Sequence, residues 1–369
     1  MMLKQFRMPA EWHPHRRCWM LWPYRTDNWK CNAAPAQAAF LQVANAISSF
    51  EPVTMGVRKD QMEKAQKLFS EFKSTTSLKH PIDLVEMESN DAWMRDVGPT
   101  FLVPRDPATH KKLLGVDWIF NAWGQKYDDW RNDDAIASQV TDYAQSDRIR
   151  ADFILEGGSI HVDGEGTILT TEECLLHPNR NHSLTKEQIE ERLLNYLGGE
   201  KVIWLPQGLA ADDDTNGHID NICCFSKPGQ VLLAWTDDVA DAHYPRCQAA
   251  IEALQSTTDA RGRRLDVVKI PIPPTLFYRP EDFEGITGVD EHGYARENGL
   301  RMAGSYVNFY IANGGIVCPS FHPDTDGKAR EILQQCFPGY EIVQVPGRDI
   351  LLGGGNIHCI TQQEPMAPA

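Results

Sequence analysis

The sequence predicts an α/β protein assembled from about five similar units, an arrangement compatible with radial repetition. Hairpin-like apolar segments alternate with helical patterns along the whole chain. One glycine-rich motif echoes within it: Gly157-Gly158-Ser159-Ile160-His161 returns as Gly354-Gly355-Asn356-Ile357-His358. At 369 residues, 42% of them hydrophobic and 24% charged, the chain has the length and composition to bury a large core.

The elements follow in order. Helical periodicity covers 36–50 and 60–72. A first hairpin opens at Gly98-Pro99-Thr100-Phe101-Leu102-Val103, and a helix follows over 132–144. A second hairpin, 159–170, turns at Asp163-Gly164 and leads to a helix over 185–197. The third, 217–235, turns at Lys227-Pro228-Gly229 before a helix over 241–254. The fourth, 306–317, turns at Asn313-Gly314-Gly315 before a helix over 325–336, and the glycine run at 353–355 opens a fifth. These imply units of roughly 65 residues. The strongest breaker, Pro271-Ile272-Pro273-Pro274, reads as a loop within one domain, so residues 1–369 are expected to form a single domain. Residues 274–304, rich in Gly, Glu and Arg, read as a long loop able to cover a site.

A formal charge of -15 argues against nucleic-acid and anionic-membrane partners, which call for a basic face; it suits a small cationic substrate, although solubility of an acidic cytosolic protein accounts for most of it. Met1 to Pro14 lacks the apolar core of a secretory signal, and no apolar run is long enough to span a bilayer, so a soluble, cytoplasmic protein is expected. Nine cysteines without regular spacing fit reduced thiols better than a disulfide framework.

Cys359 follows glycines that let another molecule approach the backbone and expose the thiol, so it is the candidate nucleophile; the other eight cysteines read as small core residues. His218 and Asp220 flank Ile219, and on a strand they would share one face, bringing a proton carrier and an anion together. Asp96, in Trp93-Met94-Arg95-Asp96-Val97-Gly98-Pro99, is a carboxylate beside a flat aromatic wall, suited to a guanidinium or ammonium; an internal Arg95-Asp96 ion pair is the alternative. Glu156, just before Gly157, could orient His218. Asp212-Asp213-Asp214 form either a solvated acidic loop or an amine-binding group. The histidines lack zinc-site spacing, and neither a dinucleotide fingerprint nor a phosphate loop occurs, so no metal or organic cofactor is expected.

Together, Trp93 to Pro99, Glu156-Gly157-Gly158, Asn216-Gly217-His218-Ile219-Asp220-Asn221 and Gly353 to Gln363 resemble the agmatine deiminase family over nearly the whole chain. The resemblance implies the pentein fold of guanidine-modifying enzymes, a five-bladed α/β propeller of ββαβ units about a pseudo-fivefold axis. It implies Cys359 as nucleophile, His218 as general acid/base, Glu156 as its carboxylate partner, and Asp96 and Asp220 as the guanidinium's anchors. The implied reaction is hydrolysis of agmatine to N-carbamoylputrescine and ammonia in polyamine synthesis, through a covalent S-alkylthiouronium, by a homodimer or larger homo-oligomer. Trp93 would line the site, and Asp214 is a candidate for the distal amine. Arginine or peptidylarginine deimination is the alternative within the fold, and a non-catalytic polyamine-binding protein the alternative outside it.

Overall fold

The computed structural model describes residues 3–289 and 296–368. Its strands form five separate sheets, the blades of a five-bladed α/β propeller. In four of them a hairpin leads through a helix to a third strand parallel to the second. Thr100–Pro104 and Leu114–Ile119 pair antiparallel, and Asp147–Ile154 returns parallel after the helix Ile136–Ala144. The same plan joins His161–Val162, Thr167–Thr171 and Lys201–Leu205 across the helix Lys186–Leu197. It recurs in Cys223–Lys227, Gln230–Trp235 and Asp266–Pro271 with the helix Tyr244–Gln255. The fourth copy is Tyr310–Ala312, Gly315–Ser320 and Glu341–Pro346 with the helix Pro323–Cys336.

The fifth blade is made from both ends of the chain. The strand Gln362–Pro365 pairs antiparallel with His15–Leu21, which runs parallel to Val53–Val57 after the helix Ala34–Ile47; Ile82–Glu86 extends the sheet. The expected fifth hairpin is therefore closed by the N-terminal segment, and the glycine run at 353–355 lies in a turn before the strand rather than in it. Periodicity could not reveal this pairing, because the two strands are separated by almost the entire sequence.

Local chemistry explains the alternation. The strands Thr167–Thr171 and Gln230–Trp235 are buried at every position, as expected of strands covered on both faces. The helix Lys186–Leu197 buries Ile189, Leu193 and Leu197, four residues apart, and begins with a capping box between Thr185 and Gln188. The helix Ala34–Ile47 is buried more extensively because it packs on the strands Gly315–Ser320 and Glu341–Pro346 of the fourth blade and on the helix Arg348–Leu351.

In each blade a short segment enters the first hairpin strand, and these entries carry the polar motifs. They are the helix Met94–Val97, the 3-10 turn Gly157–Ser159, the helix Ile219–Ile222, the turn before Tyr310 and the turn before Gln362. The echoed glycine motif is this entry segment in two of the five blades. Of the long loop 274–304, Pro280–Phe283 forms a 3-10 helix, while 290–295 lie outside the described residues. Among the described residues, no helix is long and apolar enough to cross a membrane.

Candidate active site

The five entry segments place Asp96, Glu156, His218 with Asp220, Asn308 and Cys359 in one cluster. All are nearly or fully removed from solvent, at 4% exposure or less. Cys359 Sγ lies 3.5 Å from Asp220 Oδ2 and receives the Asn308 Nδ2–H at 3.1 Å. His218 presents Nδ1 to Asp96 Oδ1 at 3.8 Å and Nε2 to Glu156 Oε2 at 3.6 Å, ion-pair rather than hydrogen-bond distances.

Two expectations about the local backbone change. His218 and Asp220 do not share a strand face: His218 caps the short helix Ile219–Ile222, and the strand begins only at Cys223. A strand would have aimed both side chains in one direction. The turn instead separates them, so that His218 meets Asp96 and Glu156 while Asp220 meets Cys359. The thiol is also not exposed: at 3% exposure Cys359 lies at the wall of a partly open pocket.

That pocket is lined by Trp93, Asp96, Trp123, Lys126, Tyr127, Asp214, Thr215, Arg296, the glycines 353–355 and Cys359. Asp96 and Cys359 reach its wall directly, whereas His218, Asp220 and Glu156 form the layer behind. Gly158 keeps the two layers in touch. A Cβ there would come within 2.6 Å of His218 Nδ1, 2.9 Å of Asp96 Oδ1 and 3.0 Å of Asp220 Oδ2, so only glycine leaves this junction open. Gly354, at φ 106°, lets the backbone pass beside Asp214 and Arg296, where a side chain would be strained and obstructed.

Each acid has a distinct support. Asp96 accepts the Gly158 N–H and the Trp123 Nε1–H, both at 2.9 Å. Burial pushes its carboxyl up to about 6; the His218 imidazolium pulls against this, and Asp220 and Glu156 add to it. The Arg95-Asp96 pairing does not form, because Arg95 turns inward to Glu11 at 3.2 Å. Glu156 accepts the Arg180 Nε–H at 2.6 Å, and despite burial Arg180 and His218 hold its carboxyl below the usual range. Asp220 is also held low against burial, chiefly by His358, whose Nδ1 lies 2.9 Å from Oδ2. Its other oxygen, Oδ1, is a buried acceptor with no hydrogen-bond partner.

The proton carriers respond to these charges. Burial disfavours a charged His218, but Asp96 foremost, then Cys174 and Glu156, hold its imidazole well above the ordinary value, which favours the imidazolium. Burial, then Asp220 and Asp96, pushes the Cys359 thiol well up. The free site therefore combines a protonated thiol with a protonated imidazole, and a cation bound between the carboxylates would lower the cost of the thiolate.

Trp93 stacks on Trp29 and donates Nε1–H to Asp91 at 3.1 Å, giving the cavity a rigid aromatic wall. Of the acidic triplet, Asp214 alone lines the cavity. There it pairs with Arg296 Nη2 at 2.7 Å, while Lys126 Nζ meets the Asp214 carbonyl at 2.8 Å. Asp212 is buried and structural, holding Thr215, the His218 N–H and Asn221.

Sequence reasoning missed Glu11, Trp123, Arg180, Arg296, Asn308 and His358. His358 stood inside a quoted motif without a role, and the echo offered a signal: the echoed histidines both face Glu11, His358 Nε2 at 2.9 Å and His161 Nε2 at 3.6 Å. Trp123 and Arg180 lie in no motif that isolates them from ordinary core and surface residues. Among the described residues, the one cluster of three metal-ligating side chains is Glu156, Cys174 and His218.

Comparison with known proteins agrees with this architecture. The model of the Porphyromonas-type peptidyl-arginine deiminase family matches residues 7–365. Agmatine deiminase of Stutzerimonas stutzeri is 52% identical over 365 residues, covering 98% of this chain and 95% of its own. That of Pseudomonas aeruginosa strain LESB58 is likewise 52% identical over 98% of this chain and 95% of its own. The solved agmatine deiminase of Enterococcus faecalis superposes with a TM-score of 0.90 at 41% identity, covering 98% of this chain and 96% of that one.

Proposed function

Because the chain belongs to the Porphyromonas-type peptidyl-arginine deiminase family, we propose that it hydrolyses a small guanidine, agmatine, to N-carbamoylputrescine and ammonia with Cys359 as nucleophile. The observation that carries this reading is the unpartnered, buried Oδ1 of Asp220, a carboxylate whose other oxygen lies 3.5 Å from the Cys359 sulfur and, like Asp96, borders Gly158. A buried carboxylate oxygen without a donor is costly, and a planar guanidinium supplies donors in the required fork. The names of the relatives at 52% identity make agmatine the guanidine of choice.

The steps follow from the site. The guanidinium sits between Asp96 and Asp220, and its positive charge drives the Cys359 proton out to solvent. The sulfur bonds to the CN3 carbon, giving a neutral tetrahedral adduct. The His218 imidazolium transfers its proton to one amino group, the C–N bond breaks, and ammonia leaves behind an S-alkylthiouronium. Neutral His218 then takes a proton from water as the oxygen bonds to carbon. Collapse of the second adduct breaks the C–S bond, the new hydroxyl's proton passes to sulfur, and the ureido product departs. Glu156, held by Arg180, keeps the imidazole oriented through the cycle. Trp93 forms the flat wall, and Asp214 receives the distal ammonium.

The same reading makes residues 1–369 one catalytic domain, since all five blades contribute to the site. It also makes the protein a homo-oligomer, and a cytoplasmic one, where thiols such as its nine free cysteines stay reduced. Arginine is the second reading, favoured by Lys126 and Arg296, which line the cavity and could meet a carboxylate. Incubation with each substrate and separation of the ureido products decides between them: N-carbamoylputrescine supports the proposal, and citrulline alone overturns it. Loss of ammonia release in Cys359→Ser, together with a substrate-derived adduct on Cys359 in trapped wild type, is the expected covalent signature. Equal rates in the two proteins would reject the nucleophile.

A further inference from the structure

Behind His218, on the side away from the cavity, lies a group that the deimination chemistry leaves partly unused. Glu156, Cys174 and His218 each place a donor atom within 4.8 Å of the others, and all three side chains are fully buried. Cys174 sits on the short helix Glu172–Leu175, fixed by its N–H to Thr171 Oγ1. Arg180 engages only Oε1 of Glu156; Oε2 has no hydrogen-bond partner, nor has either nitrogen of His218. These orphaned buried atoms face one another across 3.6 Å.

We propose that Glu156, Cys174 and His218 form an inhibitory binding site for zinc or a similar divalent cation. Carboxylate oxygen, thiolate sulfur and imidazole nitrogen are the donors that such ions select. Two donors each about 2.0–2.2 Å from a tetrahedral ion lie about 3.3–3.6 Å apart, so the Glu156–His218 spacing already fits. A divalent ion with one carboxylate, one thiolate and a neutral imidazole is electrically balanced. It replaces two protons, one from the Cys174 thiol and one from the His218 imidazolium, and both pass to solvent. Inhibition follows directly. With Nε2 bonded to the ion, His218 keeps its remaining proton on Nδ1 and can no longer accept one from water. The inhibitory consequence rests on the acid/base role given to His218 above, whereas the binding itself does not.

The test uses Zn2+ and Co2+ on the full-length protein. Zn2+ should inhibit ammonia release by wild type, more strongly at higher pH, and EDTA should restore activity. Cys174→Ala should keep basal activity and need at least tenfold more Zn2+ for half-inhibition; Cys174→Ser serves the same purpose if the alanine variant is unstable. Binding is read without turnover from the thiolate-to-Co2+ absorption band, expected in Cys359→Ser and absent from Cys359→Ser combined with Cys174→Ser. Wild-type insensitivity to Zn2+ with no Cys174-dependent band, undiminished sensitivity in both Cys174 variants, or a band that depends on Cys359 instead of Cys174 would each overturn the proposal. A Cys174-dependent band without inhibition would leave the ion site standing and reject the role of His218.

Discussion

His358 Nδ1 lies 2.9 Å from Asp220 Oδ2, so the residue adjoining the thiol in sequence holds the carboxylate that faces the thiol in space. Its other nitrogen reaches Glu11 Oε1 at 2.9 Å, which makes the imidazole a bridge between two buried acids. Burial and Arg95 oppose its charge, yet Glu11 and Asp220 raise its pKa, and it in turn lowers that of Asp220. His358→Asn removes this cation. The Asp220 pKa then rises, so its anion is lost at a higher pH. In the Asp96→Asn background, which removes the wild-type step near 6, the acid limb of kcat/KM should move upward in pH, with a fall of about ten- to a hundredfold from the lost charge-assisted hydrogen bond. An unmoved acid limb would show that His358 is only packing.

Glu11→Gln should act on stability more than on chemistry. Glu11 is 3% exposed and pairs with Arg95, His358 and His161, so neutralising it strands buried positive charge, at a cost of about 3–5 kcal/mol. Despite burial, His358 and then Arg95 hold its carboxyl well below the ordinary range. Its contribution is therefore present above the unfolded carboxylate's pKa of about 4.3 and lost as pH falls through the depressed folded value. Urea titrations at neutral and acid pH should show the two proteins converging toward low pH.

Asp96→Asn and Asp220→Asn should each lower kcat/KM by about ten- to a hundredfold, from loss of about 1.5–3 kcal/mol of charged hydrogen bonding to the guanidinium. Because Asp96 titrates at about 6, wild-type kcat/KM should climb as pH rises through that region, and Asp96→Asn should lose this component. Steady-state assays across pH decide both points.

Alkylation separates substrate-induced from intrinsic thiolate. Burial, Asp220 and Asp96 raise the Cys359 thiol well above the ordinary cysteine value, so iodoacetamide should label it slowly at neutral pH and faster as pH rises. Labelling as fast as that of a free thiol at neutral pH would mean that the free enzyme already carries the thiolate.

Asp214→Asn tests the far end of the cavity. Removal of the anion should raise KM for agmatine severalfold with a smaller change in kcat, since the distal amine lies away from the breaking bond. The ratio of agmatine to arginine turnover should fall. An unchanged ratio would assign Asp214 solely to its ion pair with Arg296.

The order of hairpins and helices was legible because side-chain periodicity is a local property: the helices near 185–197 and 325–336 and the turns at Asp163-Gly164 and Asn313-Gly314 lie where their patterns place them. The polar residues of the site stood out for a related reason, each lying in a short motif at the mouth of an apolar strand. Their directions could not be read. Whether His218 and Asp220 lie on a strand or a turn depends on where pairing with Gln230–Trp235 begins, at Cys223, and that is fixed by the partner strand. The pairing of Gln362–Pro365 with His15–Leu21, and the meeting of Glu11 with His358, unite opposite ends of the chain. Local pattern carries no information about such contacts; only closure of the five blades, which brings the entry segments together, selects them.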